Sequence, residues 1–128
     1  GEGLGYDYLW RAQRDSVVAT LPFGYADGYP RLLGNKSYVL MGGKIAPIRG
    51  RICMDQCLAD VTGIAHVKTG DEAVLFGEQN GNRISIDDIA ALAGTVNYEI
   101  VCIIGKRVPR QYIENGTTVK ILNYLINQ

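Results

Sequence analysis

The sequence predicts a mainly β domain, an antiparallel β-barrel or sandwich that carries one short helix. Three observations predict it. Short β-branched or apolar runs recur roughly every ten to fifteen residues, each bounded by Gly, Asp or Asn. The chain has 16 glycines against 4 prolines in 128 residues, above the usual glycine share of about 7% and a sign of many tight turns. Only one segment combines a helical start with a helical stop.

Taken in order, the runs place strands at about residues 16–21, 37–41, 45–48, 57–61, 72–76 and 100–104. A shorter strand is expected at about 118–122. The turns between them are signalled by Gly34-Asn35, Gly42-Gly43, Gly70-Asp71 and Asn80-Gly81-Asn82, residues that tolerate or favour the backbone angles of tight turns. Ser85-Ile86-Asp87-Asp88 is a capping-box variant, with Asp88 where Glu is commoner. Ile89, Leu92 and Ala93 then share one helical face, and Gly94 supplies the stop. No internal repeat, linker or low-complexity tract interrupts the 128 residues, which read as one domain.

Composition excludes several functions. Thirteen Lys and Arg balance thirteen Asp and Glu, which leaves no broad electrostatic grip on nucleic acid or an anionic membrane. Hydrophobic residues make up 47%, enough for a real core. The longest apolar runs are about five residues, against the ~20 that a membrane span needs. No secretory or transit leader is visible. The chain begins Gly1-Glu2 without an initiator Met, and reads as a processed chain or a piece of a longer one.

Cys53, Cys57 and Cys102 are odd in number and sit among apolar residues, so they read as free buried thiols of a reducing compartment. With His66 as the one histidine, no tetrahedral metal set can be completed, and a Ser-His-Asp hydrolase fits poorly. His66 belongs to a polar surface loop.

Two segments are chemically dense. Gly24-Tyr25-Ala26-Asp27-Gly28-Tyr29-Pro30-Arg31 is unsuited to a central strand and suits an ordered loop that presents polar aromatic tips. Pro47-Ile48-Arg49-Gly50-Arg51-Ile52-Cys53-Met54-Asp55-Gln56 joins an apolar strand to a charged, Gly-led stretch. In this order the two closely resemble the C-terminal domain of the pyridoxal-phosphate-dependent alanine racemases. Gly1-Glu2-Gly3-Leu4-Gly5-Tyr6, Ser85-Ile86-Asp87-Asp88-Ile89-Ala90, Thr95-Val96-Asn97-Tyr98-Glu99 and Arg107-Val108-Pro109-Arg110-Gln111-Tyr112 extend the resemblance over almost the whole chain. The segments around Ser85 and Tyr98 match the family's helix and the strand after it.

The resemblance implies a β domain that follows a (β/α)8 barrel, the barrel carrying pyridoxal 5'-phosphate on a lysine. The barrel, that lysine and the cofactor arginine match nothing in these 128 residues. It also implies a head-to-tail homodimer whose sites each combine one chain's barrel with its partner's β domain. The substrate is a small amino acid, and the product D-alanine serves peptidoglycan synthesis in the cytoplasm. Tyr6 matches the tyrosine base. Met54 matches the residue whose backbone N–H holds the substrate carboxylate, and Tyr25 matches a tyrosine at the pocket mouth that limits substrate size. Tyr98 matches one that bonds the cofactor phosphate in its own chain's site. Arg31, Arg51 and Asp55 match charged residues of the access corridor, with an ordinary Arg51–Asp55 ion pair as the plain alternative. No cation stands beside Tyr6 in the sequence, so the charge that would sharpen a phenol base is left to the barrel.

The chain departs from the family's pattern at Gly5, where Ser is commoner, and in the aromatic Tyr8 and Trp10. A flexible Gly5 bears on how Tyr6 is aimed. Two alternatives stay open: a serine or broad-specificity racemase of the same fold, and a non-catalytic β-barrel interaction module.

Overall fold

A computed structural model of the chain describes residues 1–126. Its centre is a five-stranded antiparallel sheet. β1 (Gly3–Leu4) and β2 (Trp10–Arg11) form a small ribbon at the N-terminus, and β3 (Val18–Leu21) enters the main sheet. β4 (Tyr38–Met41) and β5 (Lys44–Arg49) follow as a hairpin, then β6 (Cys57–Asp60) and β7 (Ala73–Val74). The order across the sheet is β3-β6-β5-β4-β7.

The β4–β5 turn shows how local chemistry sets register. Gly42 and Gly43 both take positive φ, 57° and 75°, the geometry that twists two strands into a tight hairpin. Leu40 then pairs with Ile45 and Tyr38 with Pro47. β6 alternates, with Cys57 and Ala59 turned into the core and Leu58 and Asp60 turned outward.

Beyond the sheet, β8 (Gly77–Gln79) and β9 (Asn82–Ile84) form a second hairpin around Asn80-Gly81, both at positive φ. α1 (Ile86–Ala93) starts at Ser85, whose hydroxyl accepts the Asp88 N–H at 3.0 Å while Asp88 accepts the Ser85 N–H at 2.9 Å. It ends at Gly94 in the left-handed conformation, as expected. Ile89 and Ala90 are buried on its inner face. β10 (Arg110–Glu114) and β11 (Thr117–Leu122) close the described chain as a hairpin turned by Asn115-Gly116. The core gathers Leu33, Val39, Leu40, Ile48, Ile52, Ile84, Ile89 and Ile100, aliphatic side chains worth roughly 1.5–3 kcal/mol each when fully buried.

The mainly β, antiparallel class is as predicted, and β3 to β6 fall where the runs place them, whereas the ribbon of β1 and β2 and the hairpin of β8 and β9 were not expected. The segment 100–104 differs. It is not a strand: α2 (Asn97–Cys102) occupies most of it, so the fold has a second α-helix. Ile100 alone faces the core, while Val101 and Ile103 are exposed. A short unbroken apolar run does not distinguish strand from helix, and here α2 packs on α1. Cys102 is correspondingly exposed rather than buried, whereas Cys57 is buried and Cys53 is half-buried. The strand expected at 72–76 shrinks to β7, because the chain bends at Leu75 and Phe76 before entering β8. His66 is exposed in a loop at positive φ, as expected. Among the described residues no helix is long and apolar enough to cross a membrane, and no group of His, Cys, Asp and Glu is placed to hold a metal.

Candidate active-site wall

Tyr6 opens a 3₁₀ turn, Tyr6–Tyr8, between β1 and β2. The turn is sharp: Gly5, Asp7 and Tyr8 all take positive φ, and Tyr6 is left 71% exposed. Two contacts hold it against the loop that follows β5. Asp7 Oδ2 lies 2.9 Å from Arg51 Nε. Asn35 accepts the Gly50 N–H at 2.6 Å and donates to Leu9 O at 3.3 Å. Gly50 itself needs to be glycine, since its φ is 75° and a Cβ there would sit 3.1 Å from Leu4 O.

Met54 is at the tip of the loop between β5 and β6, which the Cys53 N–H closes by donating to Gln56 O at 2.9 Å. The Tyr25 turn docks onto this tip. Tyr25 N–H donates to Cys53 O and Ala26 N–H to Met54 O, each at 3.0 Å. The approach is so close that a Cβ on Gly24 would fall 2.1 Å from Cys53 O and 2.5 Å from Met54 O. Asp27 steadies the turn by accepting the Gly24 N–H at 2.8 Å. The Met54 N–H donates to no group among the described residues.

These elements enclose an open cleft of about 600 Å³ lined by Tyr6, Tyr25, Arg31, Arg51, Met54 and Asp55. Residues 49 apart in sequence, Tyr6 and Asp55, thus share one wall. Tyr98 is not among the lining residues. It stands on α2, 80% exposed.

One expectation is corrected. Arg51 and Asp55 do not pair with each other: Arg51 pairs with Asp7, and Asp55 Oδ1 accepts from Arg107 Nη2 at 2.8 Å. Sequence reasoning missed Asp7, Asn35 and Arg107 as the groups that hold the wall together. Asn35 had been legible only as a turn residue, and Arg107 bonds carboxylates 80 and 52 positions away, for which no local signal exists.

Charge is distributed accordingly. Burial pushes the Asp27 carboxyl up, but the Arg107 hydrogen bond, the Gly24 N–H and the Arg107 charge together hold it below the ordinary carboxylate range. Burial, with the neighbouring Cys53, pushes the Cys57 thiol up to about 12, which leaves it inert. An unbonded N–H, two guanidinium groups and two phenols suit a small carboxylate-bearing ligand. No lysine lines the cleft, so the residues present fit one wall of a pyridoxal-phosphate pocket but not its covalent attachment.

The model of the alanine racemase C-terminal domain matches residues 1–112. The chain belongs to this family. The domain is 52% identical over 126 residues to an alanine racemase of Clostridium novyi, covering 98% of this chain and 33% of that protein. It is 57% identical over 112 residues to an alanine racemase of Halothermothrix orenii, covering 88% and 30%. Among solved structures, the alanine racemase of Bacillus anthracis with bound L-Ala-P superposes with a TM-score of 0.92 at 40% identity, over 98% of this chain and 32% of that one. That of Clostridium difficile 630 in complex with cycloserine gives 0.87 at 39% identity, over 97% and 32%. The domain spans about a third of the length of the curated relatives it matches.

Proposed function

We propose that the domain is one wall of the catalytic pocket of a pyridoxal-phosphate-dependent alanine racemase. The observation that carries the reading is the convergence of Tyr6, Tyr25, Arg31, Arg51 and Asp55 around an unbonded Met54 N–H. Racemisation removes the α-proton from one face of the amino acid and returns one to the other. The cofactor, held by the N-terminal barrel of the same protein, supplies the electron sink that makes this proton acidic. Tyr6 is the base on one face, reached from the partner subunit of a homodimer. The Met54 N–H holds the substrate carboxylate, so the Met side chain matters for packing alone. Tyr25 limits substrate size, while Arg31, Arg51 and Asp55 guide the zwitterion inward. Tyr98 bonds the cofactor phosphate in its own chain's site, and its bulk favours alanine over serine. The protein works in the cytoplasm, and its D-alanine goes to peptidoglycan.

The decisive experiment is Tyr6→Phe in the complete protein. α-Proton exchange from one enantiomer of alanine should fall at least ~10²-fold, as for loss of a positioned base. Equal rates in variant and parent would overturn the role of Tyr6. A complete protein that binds cofactor but turns over neither alanine nor serine would overturn the whole reading. Preferential turnover of serine would move the assignment to the serine racemase alternative. The domain by itself should neither hold the cofactor tightly nor racemise alanine.

A further inference from the structure

We propose that Arg107 is a positioning residue for this pocket, a two-carboxylate bridge that sets the Tyr25 turn and the Met54 tip at one fixed angle. The inference rests on the reading of the cleft just given. Arg107 Nε donates to Asp27 Oδ1 at 2.6 Å, and its Nη2 donates to Asp55 Oδ1 at 2.8 Å. The two carboxylates belong to different loops. Asp27 closes the turn that presents Tyr25, through the Gly24 N–H on its other oxygen at 2.8 Å. Asp55 directly follows Met54. One guanidinium fork therefore spans the two elements that must stay in register for the Met54 N–H and the Tyr25 ring to face one ligand.

The segment bearing Arg107 is itself seated on the Tyr25 turn. Gly105 N–H donates to Asp27 O at 2.8 Å, and Ile103 O lies 2.1 Å from where a Gly28 Cβ would stand. The same segment leads out of α2, which carries Tyr98. Asp55 is 63% exposed at its side chain and has no other side-chain partner among the described residues. Exposed pairs of this kind add little to stability, so the effect of the bridge falls on orientation. Without it the Asp55 side chain and the tip that bears it are held only by backbone bonds.

The test uses Arg107→Gln, Arg107→Lys, Asp55→Asn and the Arg107→Gln/Asp55→Asn double variant in the complete racemase. KM for alanine should rise roughly tenfold in Arg107→Gln with kcat within about threefold, the signature of lost uniform binding. Asp55→Asn should do the same, and the double variant should be no worse than Arg107→Gln, because both remove one coupled contact. Arg107→Lys should fall between, since an ammonium cannot fork to both carboxylates. Unchanged KM, multiplied losses in the double variant, or full rescue by Lys would each overturn the proposal. Amide exchange in the chain itself separates this from the functional reading. Arg107→Gln should speed exchange at Tyr25 and Ala26 about tenfold while the Val39 amide stays as slow as in the parent. If the complete protein racemises nothing, the function falls, and unchanged exchange at Tyr25 and Ala26 would separately dispose of the bridge.

Discussion

Arg51 Nε stands 2.9 Å from Asp7 Oδ2, and this contact joins the turn that carries Tyr6 to the loop that carries Met54. Asp7 adopts φ 63° to make it, a conformation that Asn shares and that costs a β-carbon residue such as Ala about 1–2 kcal/mol. Asp7→Asn therefore removes the ion pair without adding backbone strain.

Because both partners are solvent-exposed, Asp7→Asn should change the unfolding free energy by less than ~1 kcal/mol. With Tyr6 as the proposed base, racemisation by the complete protein should nevertheless fall about tenfold, since a base displaced by a fraction of an ångström loses its alignment. Urea denaturation beside a turnover assay checks both halves. A large stability loss would show that the contact is structural rather than orienting.

Gly24→Ala tests the docking of the Tyr25 turn. Its φ of −158° is ordinary extended backbone, so any penalty is steric. A methyl 2.1 Å from Cys53 O and 2.5 Å from Met54 O has no room, and the neighbours are backbone that cannot swing aside. We expect at least ~2 kcal/mol of destabilisation, read from urea midpoints. A loss under ~0.5 kcal/mol would mean that the two loops separate easily.

Ser85→Ala isolates the N-cap of α1. It deletes the oxygen that accepts the Asp88 N–H at 3.0 Å. The expected cost is about 1 kcal/mol, with Ser85→Thr near the parent. Equal stability of Ser85→Ala and parent in thermal unfolding would show that α1 is held by Ile89 and Ala90 alone.

Alkaline pH should destabilise the fold through Cys57 and Tyr29. Burial raises the Cys57 thiol from 9.0 to about 12 and the Tyr29 phenol from 10.0 to about 12. Both groups are neutral when protonated, so the unfolded chain loses its protons first and binds fewer of them than the native state. Stability is then full below about pH 9 and declines as pH rises towards 12, by the linkage between proton binding and unfolding. Unfolding free energies at pH 8 and pH 10.5 should differ in that direction, and Cys57→Ala should flatten the decline. In the native chain, a thiol reagent should label the exposed Cys102 quickly and Cys57 only on unfolding.

Much of the fold was legible locally. Gly42-Gly43 and Asn80-Gly81 specify hairpin turns because few other residues accept positive φ, and the Ser85 box with Gly94 specifies both ends of α1. The strands 77–79, 82–84 and 110–114 were missed even though Asn80-Gly81 and Asn115-Gly116 carried turn signals. In the wall of the cleft, the short patterns around Tyr6, Tyr25 and Met54 marked the residues that line it, but not what holds them.

By itself, then, the amino-acid order determined the mainly β class, the Gly42-Gly43 turn and the first helix, since each depends on backbone preferences within a few positions, while the residues facing the cleft were marked by the family resemblance of their segments. Only tertiary structure decided that 97–102 is helical, because α1 supplies the surface on which Ile100 is buried. It also decided that Arg51 pairs with Asp7 and that Arg107 reaches Asp27 and Asp55. Ion pairs form between whichever charges folding brings within a few ångströms, and a partner 80 residues distant leaves no trace in the spacing of the chain.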